Sequence, residues 1–208
     1  MRVISSLDPR RALSVPWIYE AFQRSVGKDR LRSRFVRDYM RPAAGERIVD
    51  IGCGPGDLIR FLPAVQYVGF DISREYIEAA RQRFGSRATF VHGDLDDLTR
   101  ATPDPVDTVV TVGVLHHVDD DEAGRILQYA RSALREGGRF IAIEPCLFDG
   151  QHWMARRLLL ADRGDYVRSD NEYRRLCTSA FADVDGHRDD HMYRVPYSVV
   201  VLECTASE

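Results

Sequence analysis

The residues best suited to chemistry lie in a glycine-rich stretch, V-D-I-G-C-G-P-G, at positions 49–56. The β-branched residues around it predict a buried parallel strand over Arg47–Ile51. Gly52, Gly54 and Gly56 then allow the backbone to turn sharply and to come close to a ligand. A strand that ends in such a turn and leads into a helix predicts a small-ligand site built largely from backbone.

The charges around the turn indicate which kind of ligand it holds. A nicotinamide or flavin dinucleotide turn reads G-x-G-x-x-G, but the last glycine would fall on Asp57 or Ile59 here. A helix N-terminus favours anions, yet Asp50 and Asp57 flank this one, and Asp57 is the predicted N-cap of the helix. These carboxylates favour a cationic ligand over a pyrophosphate.

The stretch closely resembles the first motif of the class I S-adenosylmethionine-dependent methyltransferases, whose cofactor carries an ammonium, a sulfonium and a carboxylate but no phosphate. A glycine turn without any ligand is the structural alternative. The resemblance is specific over Arg47 to Pro145. It implies S-adenosyl-L-methionine as the cofactor and no metal ion. Within the motif, it implies cofactor contacts from Asp50, Gly52, Cys53, Gly54 and Gly56.

Two further acids stand where the resemblance implies contacts with the adenosine part of the cofactor. Asp71, next to Ile72, lies 19 residues after Gly52, close to the ~20 expected of a ribose-binding acid at the end of the second strand. The Gly93-Asp94-Leu95 step resembles the family element that meets the adenine. Asp94 would accept from the exocyclic amine, and the Leu95 N–H would face a ring nitrogen. The structural alternative is a helix N-cap for Asp71 and a turn aspartate for Asp94.

The fourth predicted strand, Val106–Val114, leads into a loop at the carboxyl edge of the sheet. Ligands of doubly wound sheets bind at that edge. The loop sequence, G-V-L-H-H-V, resembles the same loop in small-molecule methyltransferases. The resemblance implies that the loop, with Gly113 and Val114, lines the cofactor.

Three side chains near this edge are candidate catalytic groups. His117 and His116 have the chemistry of a general base, or they are packing residues in the loop. Glu144, at the end of the next strand, is a candidate base or substrate-positioning group, or a structural hydrogen-bond acceptor.

Residues 146–180 interrupt the core pattern with an apolar helix over Trp153–Leu160 and a second helix over Asn171–Cys177, which Asp170 or Ser169 can cap. In the resembled family, an insertion at this point commonly forms the substrate lid. From this implied lid, the candidate substrate contacts are its large or charged side chains: Trp153, Met154, Tyr166 and Arg168.

The elements that must position these residues alternate along the chain. Apolar runs predict seven strands separated by helices, which indicates a doubly wound, mostly parallel α/β sheet. An antiparallel last strand is typical of the resembled family's Rossmann-like fold. We expect one methyltransferase domain over 1–208. Its parts are N-terminal helices over 1–46, a cofactor-binding core over 47–145, the lid over 146–180 and C-terminal strands over 181–208.

Periodicity also predicts element boundaries. The N-terminal helices span 14–26 and about Asp29–Met40, and two core helices span Arg74–Phe84 and Asp120–Arg135. The other predicted strands are Gln66–Asp71, Ala88–His92, Arg139–Pro145, Phe181–Arg188 and Val195–Thr205.

Composition is ordinary for a globular protein, with 44% hydrophobic and 29% charged residues. No apolar run approaches the ~20 residues of a membrane span, and Met1 to Arg11 lacks the apolar segment of a secretory signal. These features predict a cytoplasmic protein. Four scattered cysteines show neither zinc-site nor disulfide spacing: Cys53, Cys146, Cys177 and Cys204.

The charge is uneven, since residues 1–47 hold eleven basic residues against five acidic ones while the whole chain has a net charge of −3. Such asymmetry can mean nucleic-acid contact. We favour instead a solvated helix face that carries Arg30, Arg32, Arg34 and Arg37.

Together these features predict S-adenosylmethionine-dependent methyl transfer to a small-molecule acceptor, at an oxygen, nitrogen or carbon atom. The N-P-P-Y-type loop that is typical of methylation at exocyclic or amide nitrogens is absent, which counts against base-amine methylation of DNA. Two alternatives stay open: an RNA or peptide methyltransferase that uses the basic N-terminal helices, and an S-adenosylmethionine-binding protein without catalysis.

Overall fold

The computed structural model describes residues 27–160 and 164–207. The predicted helix over 14–26 and the segment from Met1 to Arg11, which is not expected to be a secretory signal, lie outside these residues. The helices are α1 (Lys28–Phe35), α2 (Arg74–Phe84), α3 (Leu95–Ala101), α4 (Asp120–Ala133), α5 (Trp153–Leu160) and α6 (Asp170–Cys177). The strands are β1 (Arg47–Ile51), β2 (Gln66–Asp71), β3 (Ala88–His92), β4 (Val106–Val112), β5 (Leu134–Pro145), β6 (Asp183–Asp189) and β7 (Val199–Thr205).

The seven strands form one sheet in the order β3-β2-β1-β4-β5-β7-β6. Strands β1 to β5 pair in parallel, whereas β7 pairs antiparallel with both β5 and β6. The sequence-based prediction of a doubly wound, mostly parallel sheet with an antiparallel last strand is therefore confirmed. Because the parallel strands run the same way, their carboxyl ends meet along one edge of the sheet.

Both faces of the sheet are buried, which explains the near-continuous apolar runs of its central strands. Val49 and Ile51 of β1 face a cluster that includes α4 and α6, with Leu127 and Tyr173 at its centre. Ile48 points to the opposite cluster, which includes α1 and α2. Among the described helices, none has the length and apolar character needed to cross a membrane.

Helix α1 forms where the predicted helix over Asp29–Met40 lies. It spans Lys28–Phe35 and continues as a π-helical segment, Val36–Met40. Leu31 and Phe35 supply its buried face. Arg41, with φ 46°, ends the segment just before Pro42.

Several predicted boundaries were wrong. Helix α4 ends at Ala133, not at Arg135, because Leu134 is already extended and pairs with Val106. Strand β5 therefore begins before its two glycines, with a register shift opposite Val106. Strand β6 begins at Asp183, since Phe181 packs its ring against Phe140 at 5.8 Å between centroids.

The start of the last strand was also wrong, since this strand begins at Val199 and not at Val195. Pro196 lacks an N–H and so lies outside the ladder. Residues 190–198 instead form a loop at the carboxyl edge of the sheet, closed by a hydrogen bond from Cys146 N to Ser198 O (3.1 Å).

Candidate active site

The glycine turn after β1 is tied to the end of β2. Gly52 N and Cys53 N both donate to Phe70 O, at 2.8 and 2.9 Å. Gly52, Gly54 and Gly56 have φ angles of 73°, 54° and 78°, in the left-handed region that glycine adopts without strain. The residue types of the motif are therefore required by the backbone conformation itself.

The turn is closed on one side and open on the other. A Cβ atom on Gly52 would lie 2.5 Å from a methyl group of Val114, so only glycine fits under the loop that follows β4. A Cβ atom on Gly54 would meet nothing within 4 Å. The backbone at Gly54 is thus accessible to a ligand from the carboxyl edge of the sheet.

Asp57 does not cap the following helix, contrary to the sequence-based prediction. Gly56 precedes a five-residue 3₁₀ helix, Asp57–Phe61, and no side chain caps it. The Asp57 carboxylate instead accepts from Arg83 at 2.7 Å and lies 3.7 Å from Arg32. It holds α1, α2 and the turn together by ion pairs.

Asp71 lies at the carboxyl end of β2, beside the glycine turn. Its Oδ2 atom accepts from Gly54 N at 2.9 Å, and its Oδ1 atom accepts from Ser73 N at 2.8 Å. The carboxylate therefore supports the turn directly, although each oxygen keeps a second lone pair. The neighbouring Ile72 is 79% exposed, an unusual position for a large aliphatic side chain.

Asp94 follows β3 and caps helix α3. Its Oδ1 atom accepts from Asp97 N at 3.0 Å, while Asp97 Oδ2 accepts from Asp94 N at 3.1 Å, which makes a reciprocal capping box. Asp94 is therefore a helix N-cap, where the alternative predicted for it was a turn aspartate. Asp94 itself is exposed and Leu95 is half-buried, at the same edge of the sheet as Asp71.

Asp50 is buried beneath the turn, within β1. Tyr67 donates its hydroxyl to Asp50 Oδ2 at 2.5 Å, and Oδ1 has no hydrogen-bond partner among the described residues. Burial raises the pKa of Asp50 to about 7, and the Tyr67 hydrogen bond only partly offsets this. An unsatisfied buried carboxylate oxygen is costly, so the site favours a cationic or hydrogen-bond-donating ligand.

Glu144 organises the loop after β4. This carboxylate is 0% exposed, and its Oε1 atom accepts from Val114 N and Leu115 N, each at 2.9 Å. Its Oε2 atom accepts from His116 N at 3.3 Å and lies 2.7 Å from the Nδ1 atom of the His116 ring. The prediction that Glu144 contacts a substrate or acts as a base conflicts with this complete burial. Its structural alternative, a hydrogen-bond acceptor, is what the geometry supports.

Arg168 holds the same loop from the opposite side. It is 8% exposed, and its guanidinium donates to Leu115 O at 2.6 Å and to Val118 O at 3.0 Å. It also pairs with Asp120 at 2.6 Å. Arg168 is therefore not positioned as a substrate contact, because its donors are used by the protein. Five donors in a planar fork suit this task.

A short strap from the lid, residues 164–168, lies directly on His116. Tyr166 N donates to His116 O at 3.0 Å. A Cβ atom on Gly164 would lie 2.1 Å from the His116 ring, so the strap can pass there only with glycine. His116 is consequently buried between Glu144 and the strap, whereas His117 is exposed, with the two rings 3.9 Å apart.

The four cysteines are free thiols and are all buried. Burial raises the pKa of Cys146, next to the end of β5, to about 12. This thiol is therefore neutral at physiological pH and does not provide a nucleophile beside Glu144.

Comparison with known proteins assigns this arrangement to a family. The model of a methyltransferase domain family matches residues 48–138. Trans-aconitate 2-methyltransferase of Mycolicibacterium gilvum is 32% identical over 174 residues, which cover 76% of this chain and 66% of that protein. The chain belongs to the class I S-adenosylmethionine-dependent methyltransferases.

Other relatives of this chain are also named methyltransferases. The ubiquinone biosynthesis O-methyltransferase of Vibrio cholerae is 27% identical over 113 residues, 52% of this chain and 45% of that protein. In general, the chain spans about half the length of the curated relatives it matches. Among solved structures, a pyocyanin biosynthetic protein superimposes with a TM-score of 0.70 at 20% identity, over 91% of this chain and 59% of that one.

The structure brings the residues of the class I methyltransferase motifs to one edge of the sheet, where the sequence places them. The glycine turn, Asp71, Asp94 and the Gly113-Val114 step all lie along the carboxyl edge of the sheet. The predicted lid contacts are dispersed. Trp153, 67% exposed, has its ring 5.8 Å from that of His152. Met154 and Tyr166 are exposed elsewhere on the lid.

Sequence reasoning missed a second concave region of this methyltransferase. A cavity of about 300 Å³ lies between helix α5 and the loop over 190–198. It was missed because residues 195–198 were assigned to the last strand. The run Tyr193-Arg194-Val195-Pro196-Tyr197 gave a usable signal, since two aromatic residues and an arginine around a proline are typical of a binding loop rather than of a strand.

Proposed function

We propose that this chain transfers a methyl group from S-adenosylmethionine to a small-molecule acceptor. One observation carries the proposal: the glycine turn, open above Gly54, is bordered by carboxylates on two adjacent strands, Asp50 and Asp71. An opening with this shape and charge suits a ligand that has no phosphate and carries cationic groups.

Each part of the cofactor has a candidate partner at the edge. Asp71 has lone pairs left for the ribose hydroxyls, and the exposed Ile72 provides an apolar platform for the adenine. Asp94 and the Leu95 backbone stand beside them for the polar edge of that ring. Asp50 offers a buried, unsatisfied oxygen on the side of the ammonium, with Gly113 and Val114 across the turn.

The residues of the loop after β4 have separate tasks in this proposal. Glu144 and Arg168 fix the backbone of the loop from its two sides. His116 is a positioning residue, because its ring is enclosed by Glu144 and the strap. His117 is exposed next to it and is the candidate general base for an acceptor that must lose a proton.

When bound, S-adenosylmethionine supplies an activated methyl group that an oxygen, nitrogen or carbon nucleophile attacks in line. The chain's own contribution is to align the acceptor with this group and to exclude water. A carboxylate acceptor would need no base, whereas a phenol or an amine would use His117.

The small-molecule acceptor is supported by the relatives, whose names specify trans-aconitate and ubiquinone biosynthesis. RNA or peptide modification receives less support, because several arginines of α1 are used in ion pairs within the protein. Arg32 lies near Asp29 and Asp57, and Arg34 pairs with Asp189.

The test is calorimetric titration with S-adenosylhomocysteine and with NAD. The parent chain should bind S-adenosylhomocysteine and not NAD, and Asp71→Ala should weaken that binding on the order of a hundredfold. The loss of charge-assisted bonds to ribose hydroxyls, each worth roughly 1.5–3 kcal/mol, accounts for this factor. Asp71→Asn, which keeps the shape and one acceptor oxygen, should fall between them.

Because Asp71 also holds Gly54 N and Ser73 N, Asp71→Ala should lower the melting temperature modestly as well. The affinity is therefore measured well below that temperature. Parental affinity in Asp71→Ala would refute the ribose assignment. Tight NAD binding without S-adenosylhomocysteine binding would refute the proposed cofactor. Binding without turnover on any small acceptor would favour the cofactor-binding protein without catalysis.

A further inference from the structure

The cavity between α5 and the 190–198 loop, here called the β7 cavity, is lined by His152, Asp190, His191, Tyr193, Arg194 and Tyr197. It lies at the carboxyl ends of β5 and β6, where β7 begins. Its volume of about 300 Å³ is at the lower end of the range for small-molecule sites. That volume suits a molecule with a single ring and leaves no room to enclose a long chain.

The β7 cavity adjoins the edge at which the glycine turn opens. Pro145 pairs with Val199, and Cys146 N donates to O of the lining residue Ser198, so the cavity begins two residues beyond Glu144. Strands β4, β5 and β7 are neighbours in the sheet. At about 4.8 Å per strand, β7 is roughly 10 Å from β4, which is close enough for a one-ring molecule to span much of the interval.

The wall of the cavity carries a cation, Arg194. Within the described ranges, Arg194 makes no ion pair, and the aliphatic part of its side chain lies against Gly27. Asp190 is exposed on the same loop and likewise has no ion-pair partner among the described residues. An Arg and an Asp held in one cavity suit a ligand with an anionic group and a separate hydrogen-bond donor.

Aromatic and imidazole rings complete the wall. Tyr193 and Tyr197 meet edge to face, with centroids 4.9 Å apart and planes at 69°, and so present ring surface to a planar ligand. His152 Nδ1 accepts from Met154 N at 3.3 Å. In the neutral ring its Nε2 atom therefore carries the proton and serves as a donor.

The wall is held in place by helix α1. Arg34 donates to His191 O at 2.6 Å and to Asp189 Oδ2 at 3.1 Å. Met192, between the lining residues, is fully buried in the cluster that includes α1. The cavity therefore has an anchored wall, as a selective site requires.

We infer that the β7 cavity is the acceptor site and takes a single-ring aromatic acid, with its carboxylate on Arg194 and its ring against Tyr193 and Tyr197. Asp190 accepts from a hydroxyl or amino substituent on the ring. This inference rests on the proposed function, because it names the acceptor class for that methyl transfer.

The test titrates two probes into the S-adenosylhomocysteine complex of the full chain. 4-Hydroxybenzoate has a carboxylate, and 4-hydroxybenzyl alcohol has a neutral alcohol group in its place. 4-Hydroxybenzoate should bind at least about tenfold more tightly than the alcohol, as expected for a charge-assisted bond. Arg194→Gln should remove this difference. The control Arg157→Gln changes an exposed arginine of α5 outside the cavity and should preserve it.

The cofactor product separates two kinds of failure. If S-adenosylhomocysteine does not bind to the parent chain, the proposed function fails. If it binds and Arg194→Gln keeps the parental preference for 4-hydroxybenzoate, the acceptor assignment is overturned. Equal binding of the two probes to the parent would overturn the assignment of an aromatic acid in the same way.

Discussion

The carboxyl edge of the sheet has two parts that are built differently. At the ends of β1, β2 and β3, the site consists of a glycine turn and acids that bind nearby backbone groups, such as Asp71 and Gly54, which are 17 residues apart. At the ends of β5, β6 and β7, the contacts join distant segments. Glu144 and Val114 are 30 residues apart, Arg168 and Leu115 are 53 apart, and Arg34 and His191 are 157 apart.

The difference shows how each part is specified. In the β1–β3 part, positive φ angles in the turn and its hydrogen bonds to the end of the next strand determine the shape, so short local motifs are sufficient. In the β5–β7 part, the shape depends on which segments pack together after the chain has folded.

The largest effect should come from Glu144. This residue lies at the end of β5 and holds the loop after β4, which lies on the cofactor side. Glu144→Ala leaves three backbone N–H groups and an imidazole without their buried acceptor. At ~1–3 kcal/mol for each unsatisfied group, partly relieved by water, the free energy of unfolding should fall by about 4 kcal/mol. Urea unfolding measures this change.

Glu144→Gln keeps the shape but replaces one acceptor oxygen with a donor, so it should fold and still lose at least about tenfold in kcat/KM. Glu203→Gln on β7 is the matched control, because Glu203 pairs near the surface with Arg41, Arg139 and His187. Its change should stay below about 1 kcal/mol. Parental activity in Glu144→Gln would show that the two parts of the edge are not coupled through this carboxylate.

The sequence predicted the fold and the β1–β3 part well, for a physical reason. Apolar runs and glycine positions are local signals, and they placed β2, β3 and α2 at their observed bounds. Burial and pairing are not local. Nothing in the sequence around Arg168 distinguishes an arginine that binds two carbonyls from one that faces a substrate. At Pro196, the valines that follow it led to the prediction of a strand that already included the proline.

A second, smaller effect concerns Asp50 in the β1–β3 part, through which the stability of the chain should depend on pH. Burial raises the pKa of Asp50 to about 7 in the folded chain, above its ordinary value of ~3.9. Folding therefore favours the protonated form of Asp50. The folding stability that this preference contributes is complete below the unfolded pKa and is lost as the pH rises through 7. Between pH 5 and pH 7 the loss should be roughly 2 kcal/mol.

Asp50→Asn removes this titration while keeping an acceptor for Tyr67. Urea unfolding at pH 5, 6 and 7 should show a flatter stability profile for the variant than for the parent, and the variant should be the more stable of the two at pH 7. Parallel profiles would mean that Asp50 is ionised in the folded chain throughout this range. Its vacant oxygen would then be a preformed anion for the cofactor.

The smallest effect should come from α1, where the sequence predicted a uniform solvated face of arginines. The structure divides them. Arg37 is exposed, and its ion-pair partner among the described residues is the adjacent Asp38. Arg34 is half-buried and donates to His191 O and Asp189 in the wall of the β7 cavity. Arg34→Gln should loosen that wall and raise the KM for the acceptor about three- to fivefold, in line with a partly exposed ion pair. Arg37→Gln should leave it unchanged.

The affinity for S-adenosylhomocysteine should be the same in both variants, because neither arginine contacts the glycine turn. Equal KM values for Arg34→Gln and Arg37→Gln would support the predicted uniform, solvated face of arginines. They would contradict a role of α1 in the acceptor site. If the two variants instead lost activity on an RNA substrate to the same degree, the basic helix would bind nucleic acid through its summed charge. The contrast between a paired and an exposed arginine would then have no functional meaning. A selective effect of Arg34 on acceptor KM is explained only by its contacts with the cavity wall, since the two substitutions remove the same charge from the same helix.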